Sequence, residues 1–371
     1  MDFDLTLRAK EFASKDPFPM KGFGPMEWWV GNAFMAAQAF RSLLGMEIVG
    51  YSGPETGVRD RASYLMRQDQ VQFIVTAALD GDHEIADHVK LHGPGVKDVG
   101  FLVPDATAAF ELAVERGATP HLQPMVVEND TGRMVISGIK AYGDTVHSLI
   151  ELEGVDPRFE PKEDKVARST GLHAIDHVVA NVELGKMNEW VGFYEKIFSF
   201  TMLKHFDDDA ISTEYTALMS KVMTGGNGVI KLPINEPAAG KKKSQIEEYL
   251  DYYKTPGVQH MALSTGDLQT TVADVHSRGI ETIYVPATYY PDAKARLSEY
   301  DLDWGRLEEL SILVDKDDDG YLLQAFTKML QDRPTVFFEF IERRGATGFG
   351  VGNFKALFES IEREQERRGN L

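Results

Sequence analysis

One order of strand-like and helix-like patterns runs through this chain twice, and that repetition limits the fold more than any other feature. In the first pass, residues 26–32 (MEWWVGN) read as a strand and 33–44 as an amphipathic helix stopped by Gly45. Strand-like runs follow at 63–66 and 72–77, a helical pattern at 83–92 and a strand at 96–103. A helix at 106–116 stopped by Gly117 and a strand at 145–152 complete the pass. In the second pass, residues 175–181 (IDHVVAN) stand where MEWWVGN stood. A helix at 187–197 and a strand near Phe200 follow. Residues 257–265 (GVQHMALST) answer 95–104 (GVKDVGFLVP), a helix at 268–278 stops at Gly279, and 336–341 take the place of 148–152. Helices beside mostly antiparallel strands, repeated, predict an α+β protein of two pseudo-symmetric halves. The expected division is an irregular leader at 1–22, a first domain at 23–153, a charged, proline-containing linker at 154–170 and a second domain at 171–371.

The repeat allows one half to be compared with the other. Laid side by side, the halves set His177 against Trp28, His260 against Asp98 and Glu339 against Glu151. His, His and Glu occur together only in the second half, each inside an apolar strand. Glu339 interrupts the run VFFEFI, and an ionised carboxylate buried there costs several kcal/mol unless it is paired or holds a metal. Two neutral imidazoles and one carboxylate on one face of an ion are the ligand set of non-heme Fe(II) oxygenases. Such a site keeps net positive charge and open positions, which suits an anionic chelating substrate together with O₂. By spacing alone, a histidine on a strand is more often a hydrogen-bonded core residue than a ligand; the asymmetry between the halves is what favours a site.

Composition narrows the rest. A net charge of −19 argues against a nucleic-acid or anionic-membrane partner. The absence of cysteine removes disulfides and thiolate metal sites, so His, Asp and Glu must supply any ligands. The N-terminal residues lack a basic end and an apolar signal core, and no apolar run approaches the ~18 residues of a membrane span, so a cytoplasmic protein is expected.

Three other motifs compete. His83, His88 and His92 share a helical pattern, with His88 and His92 at i, i+4 as a possible zinc pair. Asp82, Glu84, Asp87 and Lys90 surround them, which reads as a solvated face. Asp315, Asp317, Asp319 and Gly320 imitate the start of a calcium loop, but the twelfth position is Phe326, so a polar hairpin is expected. The glycines of GFGVGNF at 348–354 do not follow a strand in the dinucleotide pattern. They lead into a helix at 353–367 with Phe354, Leu357 and Phe358 on one side. That helix is either a lid hinged at Gly348, Gly350 and Gly352 or one packed permanently.

The segments IDHVV, KLPINEP, SQIEEYL, GVQHMAL, LLQAFTK, RPTVFFEFIERRG and GFGVGNFKALFESIE resemble the 4-hydroxyphenylpyruvate dioxygenase family of the vicinal-oxygen-chelate superfamily. The resemblance is weak in the first half and strong from residue 175 onward. It implies open barrels of paired βαβββ modules, one barrel per half, with the C-terminal helix over the second. It implies His177, His260 and Glu339 as ligands of Fe(II), and Gln324, Asn353 and Phe337 nearest the chemistry. Ser220, Pro233, Asn235, Gln245, Gln259, Phe326, Phe349 and Phe354 would surround the substrate. The implied reaction takes a 2-oxo acid and O₂ through oxidative decarboxylation, ring hydroxylation and side-chain migration to homogentisate, in a homo-oligomer. 4-Hydroxymandelate synthase shares the scaffold, and Pro233, Asn235 and Phe326 are the family's choices that separate the two. A metal-free binding protein on the same scaffold is the reading from another class.

Overall fold

The computed structural model describes residues 18–206, 217–238 and 240–370. The first half carries strands β1 (Gly22–Trp29), β2 (Glu47–Ser52), β3 (Arg61–Gln68), β4 (Val71–Ala78), β5 (Gly95–Leu102), β6 (Pro120–Asn129), β7 (Gly132–Lys140) and β8 (Val146–Gly154). Helix α1 (Ala33–Leu44) follows β1, α2 (Glu84–His92) follows β4 and α3 (Ala106–Glu115) follows β5. After a two-residue strand β9 (Glu160–Pro161), the second half carries β10 (Leu172–Asn181), β11 (Thr201–Phe206), β12 (Ala217–Gly225), β13 (Ile230–Ala238), β14 (Gly257–Thr265), β15 (Leu313–Lys316), β16 (Tyr321–Phe326) and β17 (Phe337–Arg344). Its helices are α4 (Met187–Phe198), α5 (Gln245–Tyr253), α6 (Leu268–Ser277), α7 (Tyr289–Arg296), α8 (Trp304–Glu309) and α9 (Phe354–Arg367). None of the described helices is long and apolar enough to cross a membrane.

Local chemistry accounts for the boundaries. Asn32 caps α1 by accepting a hydrogen bond from Met35 N at 3.0 Å, and Gly45 ends it with φ at 74°, a conformation that favours glycine. Strand β1 starts four residues before its predicted position, and Phe18 ahead of it is buried edge-on against Phe198. Residues 1–17 of the predicted leader lie outside the described residues. Within 154–170, Phe159 is buried and β9 extends the sheet beside β2.

Each half is a curled half-barrel sheet. The first is ordered β6-β7-β8-β5-β1-β4-β3-β2-β9, and the second β15-β16-β17-β14-β10-β13-β12-β11. Strand for strand the two orders coincide, β9 being the addition. Each half is two βαβββ modules joined through one antiparallel pair, β1 with β5 and β10 with β14.

The ladders correct the side-by-side alignment of the halves. Trp29 pairs with Gly95 as Asn181 pairs with Gly257, so β1 and β10 match three residues away from the sequence-based register. The counterpart of His177 is Pro25, not Trp28. Asp98 does match His260. The parallel pairs β5–β8 and β14–β17 make Ser148 the counterpart of Glu339, while Glu151 matches Glu342. Function follows that match: Glu151 accepts from Ala106 N at the start of α3, and Glu342 from Leu268 N at the start of α6. Pro25, Asp98 and Ser148 offer no ligand set, and Asp98 is spent on Ser148 N and Oγ.

Trp28 serves the seam between the halves. With Phe40 and Phe73 it surrounds Phe338 of β17, the Phe73 and Phe338 rings stacked at 5.9 Å. Side chains alternate across a strand. Phe338 and Phe340 therefore turn away from the barrel interior, Phe337 and Glu339 turn into it, and all four are buried. This explains an apolar run with one acid in it. The histidines of α2 also depart from expectation. His83 caps the helix, and His88 and His92 are 5% and 0% exposed, because the face they occupy packs toward Tyr253 of the second half.

Candidate metal centre

The three ligand candidates arrive on adjacent strands. In the ladders, His177 and Glu339 both lie opposite Ala262 of β14, and His260 stands two residues before Ala262. All three side chains therefore share one face of the sheet. His177 Nε2 lies 3.1 Å and His260 Nε2 3.6 Å from Glu339 Oε2. The three donor atoms all lie within 4.8 Å of one another.

Two β-bulges aim the rings. Asp176 is the extra residue of β10 between the pairs Ile175–Leu263 and His177–Ala262, and Gln259 is the extra residue of β14 between Val258 and His260. Each bulged side chain bonds the histidine that follows it. Asp176 Oδ1 meets His177 Nδ1 at 2.8 Å, and Gln259 Oε1 meets His260 Nδ1 at 3.0 Å. Nδ1 is thereby occupied on both rings, and Nε2 points to the shared centre. Arg343 grips Asp176 through Nε at 2.7 Å and Nη2 at 2.8 Å.

Glu339 is fixed the same way. Gln324 Nε2 donates to its Oε1 at 2.9 Å, Asn353 Nδ2 donates to Gln324 Oε1 at 2.8 Å, and the Tyr289 hydroxyl donates to Asn353 Oδ1 at 2.6 Å. Oε2 is left for the centre.

Electrostatics follow from these partners. Burial would push the Glu339 carboxyl up, but His177 and then His260 draw it down to about 2. His177 is raised despite burial, by Glu339 and then Asp176; His260 is lowered, burial outweighing Glu339. The rings part company because one has an ionised carboxylate at Nδ1 and the other a neutral amide. Two imidazole nitrogens and one carboxylate oxygen, converging and desolvated, fit a divalent metal ion.

A cavity opens above this centre. Phe337 stacks on His260 at 4.7 Å, Phe326 stands edge-on to His260 at 6.3 Å, and Phe349 stands edge-on to His177 at 5.2 Å. On the far wall Ser220 of β12 pairs with Asn235 of β13, and Pro233 with Val222. Gln245, the first residue of α5, accepts from Gln259 Nε2 at 3.4 Å. Leu357, Phe358 and Ile361 of α9 close the top. The side chain of Phe354 lies outside the described ones. Asn353 touches Gln324 and is buried.

The hairpin of Asp315 and Asp317 holds the glycine-rich turn rather than an ion. Asp317 Oδ2 accepts from Thr347 N and Gly348 N, and Asp315 Oδ2 accepts from Gly352 N. Sequence reasoning did not assign Asp176, Arg343 or Tyr289. An acid directly before a candidate ligand histidine was the available signal for Asp176; no short-range pattern marks the other two.

A family model described as "Hydroxyphenylpyruvate dioxygenase, HPPD, N-terminal" matches residues 15–159, and "Glyoxalase/Bleomycin resistance protein/Dioxygenase superfamily" matches 174–325. The 4-hydroxyphenylpyruvate dioxygenase of Pyricularia oryzae is 42% identical over 405 residues, covering 100% of this chain and 97% of that protein. Its namesake from Xenopus tropicalis is 43% identical, covering 94% and 92%. Among solved structures, a variant of 4-hydroxymandelate synthase from Streptomyces coelicolor aligns with a TM-score of 0.85 at 29% identity, covering 94% of this chain and 99% of that one.

Proposed function

This chain belongs to the 4-hydroxyphenylpyruvate dioxygenase family, and from that premise we infer that it converts 4-hydroxyphenylpyruvate and O₂ to homogentisate and CO₂. Both atoms of O₂ enter homogentisate, one in the ring hydroxyl and one in the new carboxylate, while the CO₂ leaves with the oxygens of the substrate's own carboxylate, so no further reductant is needed. The observation that carries the reading is the convergence of His177, His260 and Glu339 beneath an aromatic cavity. His177 and His260 through Nε2 and Glu339 through Oε2 would hold Fe(II), which supplies the activation of O₂ that side chains lack.

The chain's own residues do the rest. Phe326, Phe337 and Phe349 offer a narrow apolar slot for a flat ring beside the centre. Ser220, Asn235 and Gln245 stand at the opposite wall, suited to a phenol hydroxyl. The chain Tyr289–Asn353–Gln324 keeps Glu339 from rotating. Helix α9 excludes water from the cavity. A homo-oligomer in the cytoplasm is the setting proposed.

A second reading, formation of 4-hydroxymandelate, is kept in view by the solved neighbour. Phe326 argues against it: it opposes Glu339 in the β16–β17 ladder, where its ring would press a substrate ring toward the centre. The two products are isomers, so mass does not separate them. Chromatography of the product formed by the Fe(II)-loaded chain decides; 4-hydroxymandelate as the main product overturns the assignment, as does full O₂ uptake by metal-free protein.

A further inference from the structure

Both nitrogens of His92 face acceptors. Nδ1 faces the main-chain carbonyl of Tyr253, and Nε2 faces Asp144 Oδ2 at 2.8 Å. A neutral imidazole has one N–H and cannot donate to both, so a second cation, a proton or a metal ion, belongs on the Nε2 side. His88 separates these possibilities. It lies one helical turn earlier on α2, its Nδ1 is 3.9 Å from the same Asp144 oxygen, and neither of its ring nitrogens has a hydrogen-bond partner although both are buried. A proton on His92 leaves His88 orphaned; a metal ion uses it.

We propose that His88, His92 and Asp144 form a second metal site, for a divalent ion of the zinc class, at the seam between the halves. Their donor atoms lie within 4.8 Å of one another. The separations of 2.8 and 3.9 Å bracket the roughly 3.3 Å between ligands on a tetrahedral zinc with bonds near 2.0–2.1 Å. The His92–Tyr253 bond has the form seen at His177 and His260, where a partner at Nδ1 turns Nε2 to the centre. Burial draws His88 down to about 3, so the ring stays neutral at physiological pH. Asp144 is about half exposed, which leaves a path for the ion and a fourth position for water.

Lys97 opposes a cation here. Its ammonium donates to the main-chain oxygen of Asp144 at 2.5 Å and lies over the Trp29 ring at 4.8 Å, and Glu84, Asp98 and Glu27 offset its charge. The ion would tie the end of α2 to the loop before β8, where Gly143 lets the carbonyl of Pro256 approach too closely for any side chain. Its role is to fix the end of α2 to the β7–β8 loop, the two first-half segments that meet Tyr253 and Pro256 of the second half.

Zinc counting on the full chain, stripped with chelator and titrated with Zn²⁺ by calorimetry, tests this. The unaltered chain should bind two equivalents, Asp144→Asn one and Glu339→Ala one. The double variant should bind none. Asp144→Asn should keep its O₂ uptake when loaded with Fe(II), because Asp144 lies outside the candidate metal centre. The proposal is overturned if the unaltered chain binds a single equivalent, or if Asp144→Asn and His88→Gln both still bind two. Comparison of Asp144→Asn with the unaltered chain decides the matter even if Glu339→Ala fails to fold.

Discussion

Arg343 and Asp176 form a partly buried bidentate pair directly behind the ring of His177. The same guanidinium donates to the carbonyls of Ala346 at 3.2 Å and Gly348 at 2.7 Å, so one side chain joins a candidate ligand histidine to the glycine-rich turn. Asp176→Asn keeps the shape but removes the charge that holds Arg343 and His177. Metal affinity should fall by ~10–100-fold with the fold intact. Fe(II) or Co(II) titration of the stripped protein checks this; unchanged affinity would show that the pair is only structural.

Gly350 has φ at 72°, and a Cβ there would collide with Gln324 Oε1. Gly350→Ala should therefore displace the amide that fixes Glu339 and lower kcat by ~10–100-fold, since a shift of about 1 Å at a ligand can cost that much. A crystal structure of the variant with Gln324 unmoved and kcat intact would refute the linkage.

His147 gives a pH dependence at the seam. Its Nδ1 donates to Val99 O at 3.0 Å, and its Nε2 accepts from the Tyr194 hydroxyl of the second half at 2.7 Å. Burial draws its pKa from 6.5 to about 4. The folded group is depressed, so above pH 6.5 it is neutral in both states and stability is full. Below that the unfolded chain takes up a proton that the folded chain refuses until about pH 4. Across that window about 3 kcal/mol should be lost. Urea unfolding at pH 7 and pH 5 should show a steeper fall for the unaltered chain than for His147→Gln; equal slopes would place the effect elsewhere.

Phe326→Ile should open the space beside His260 and let the benzylic carbon approach the centre. Part of the product should then become 4-hydroxymandelate. An unchanged product ratio by chromatography would mean that Phe326 does not set the selectivity.

Helix α9 is tied down at both ends, by Asp315 and Asp317 on its entry turn and by Arg368 on buried Glu248 at its exit. Binding of an oxo-acid inhibitor should raise hydrogen-exchange protection over residues 345–367 if the entry turn opens to admit it. Unchanged exchange there would mark α9 as a fixed wall.

The triad was legible in the sequence because a carboxylate within VFFEFI has few inexpensive explanations, and the repeat supplied a half without it for contrast. Alternation along β17 and the order of the elements could be read for the same reason: both are periodic and local. The register between the halves was not. The extra residues Asp176 and Gln259, like Lys97 in β5, break the period of two without leaving a sequence mark, and the alignment slipped by three at β1. The acids around His88 and His92 read as a solvated face because burial there is imposed by Tyr253, 161 residues beyond His92. Arg343 meets Asp176 across 167 residues. Such pairs are selected by chain closure and desolvation, and only the tertiary structure decides which charges lose their water together.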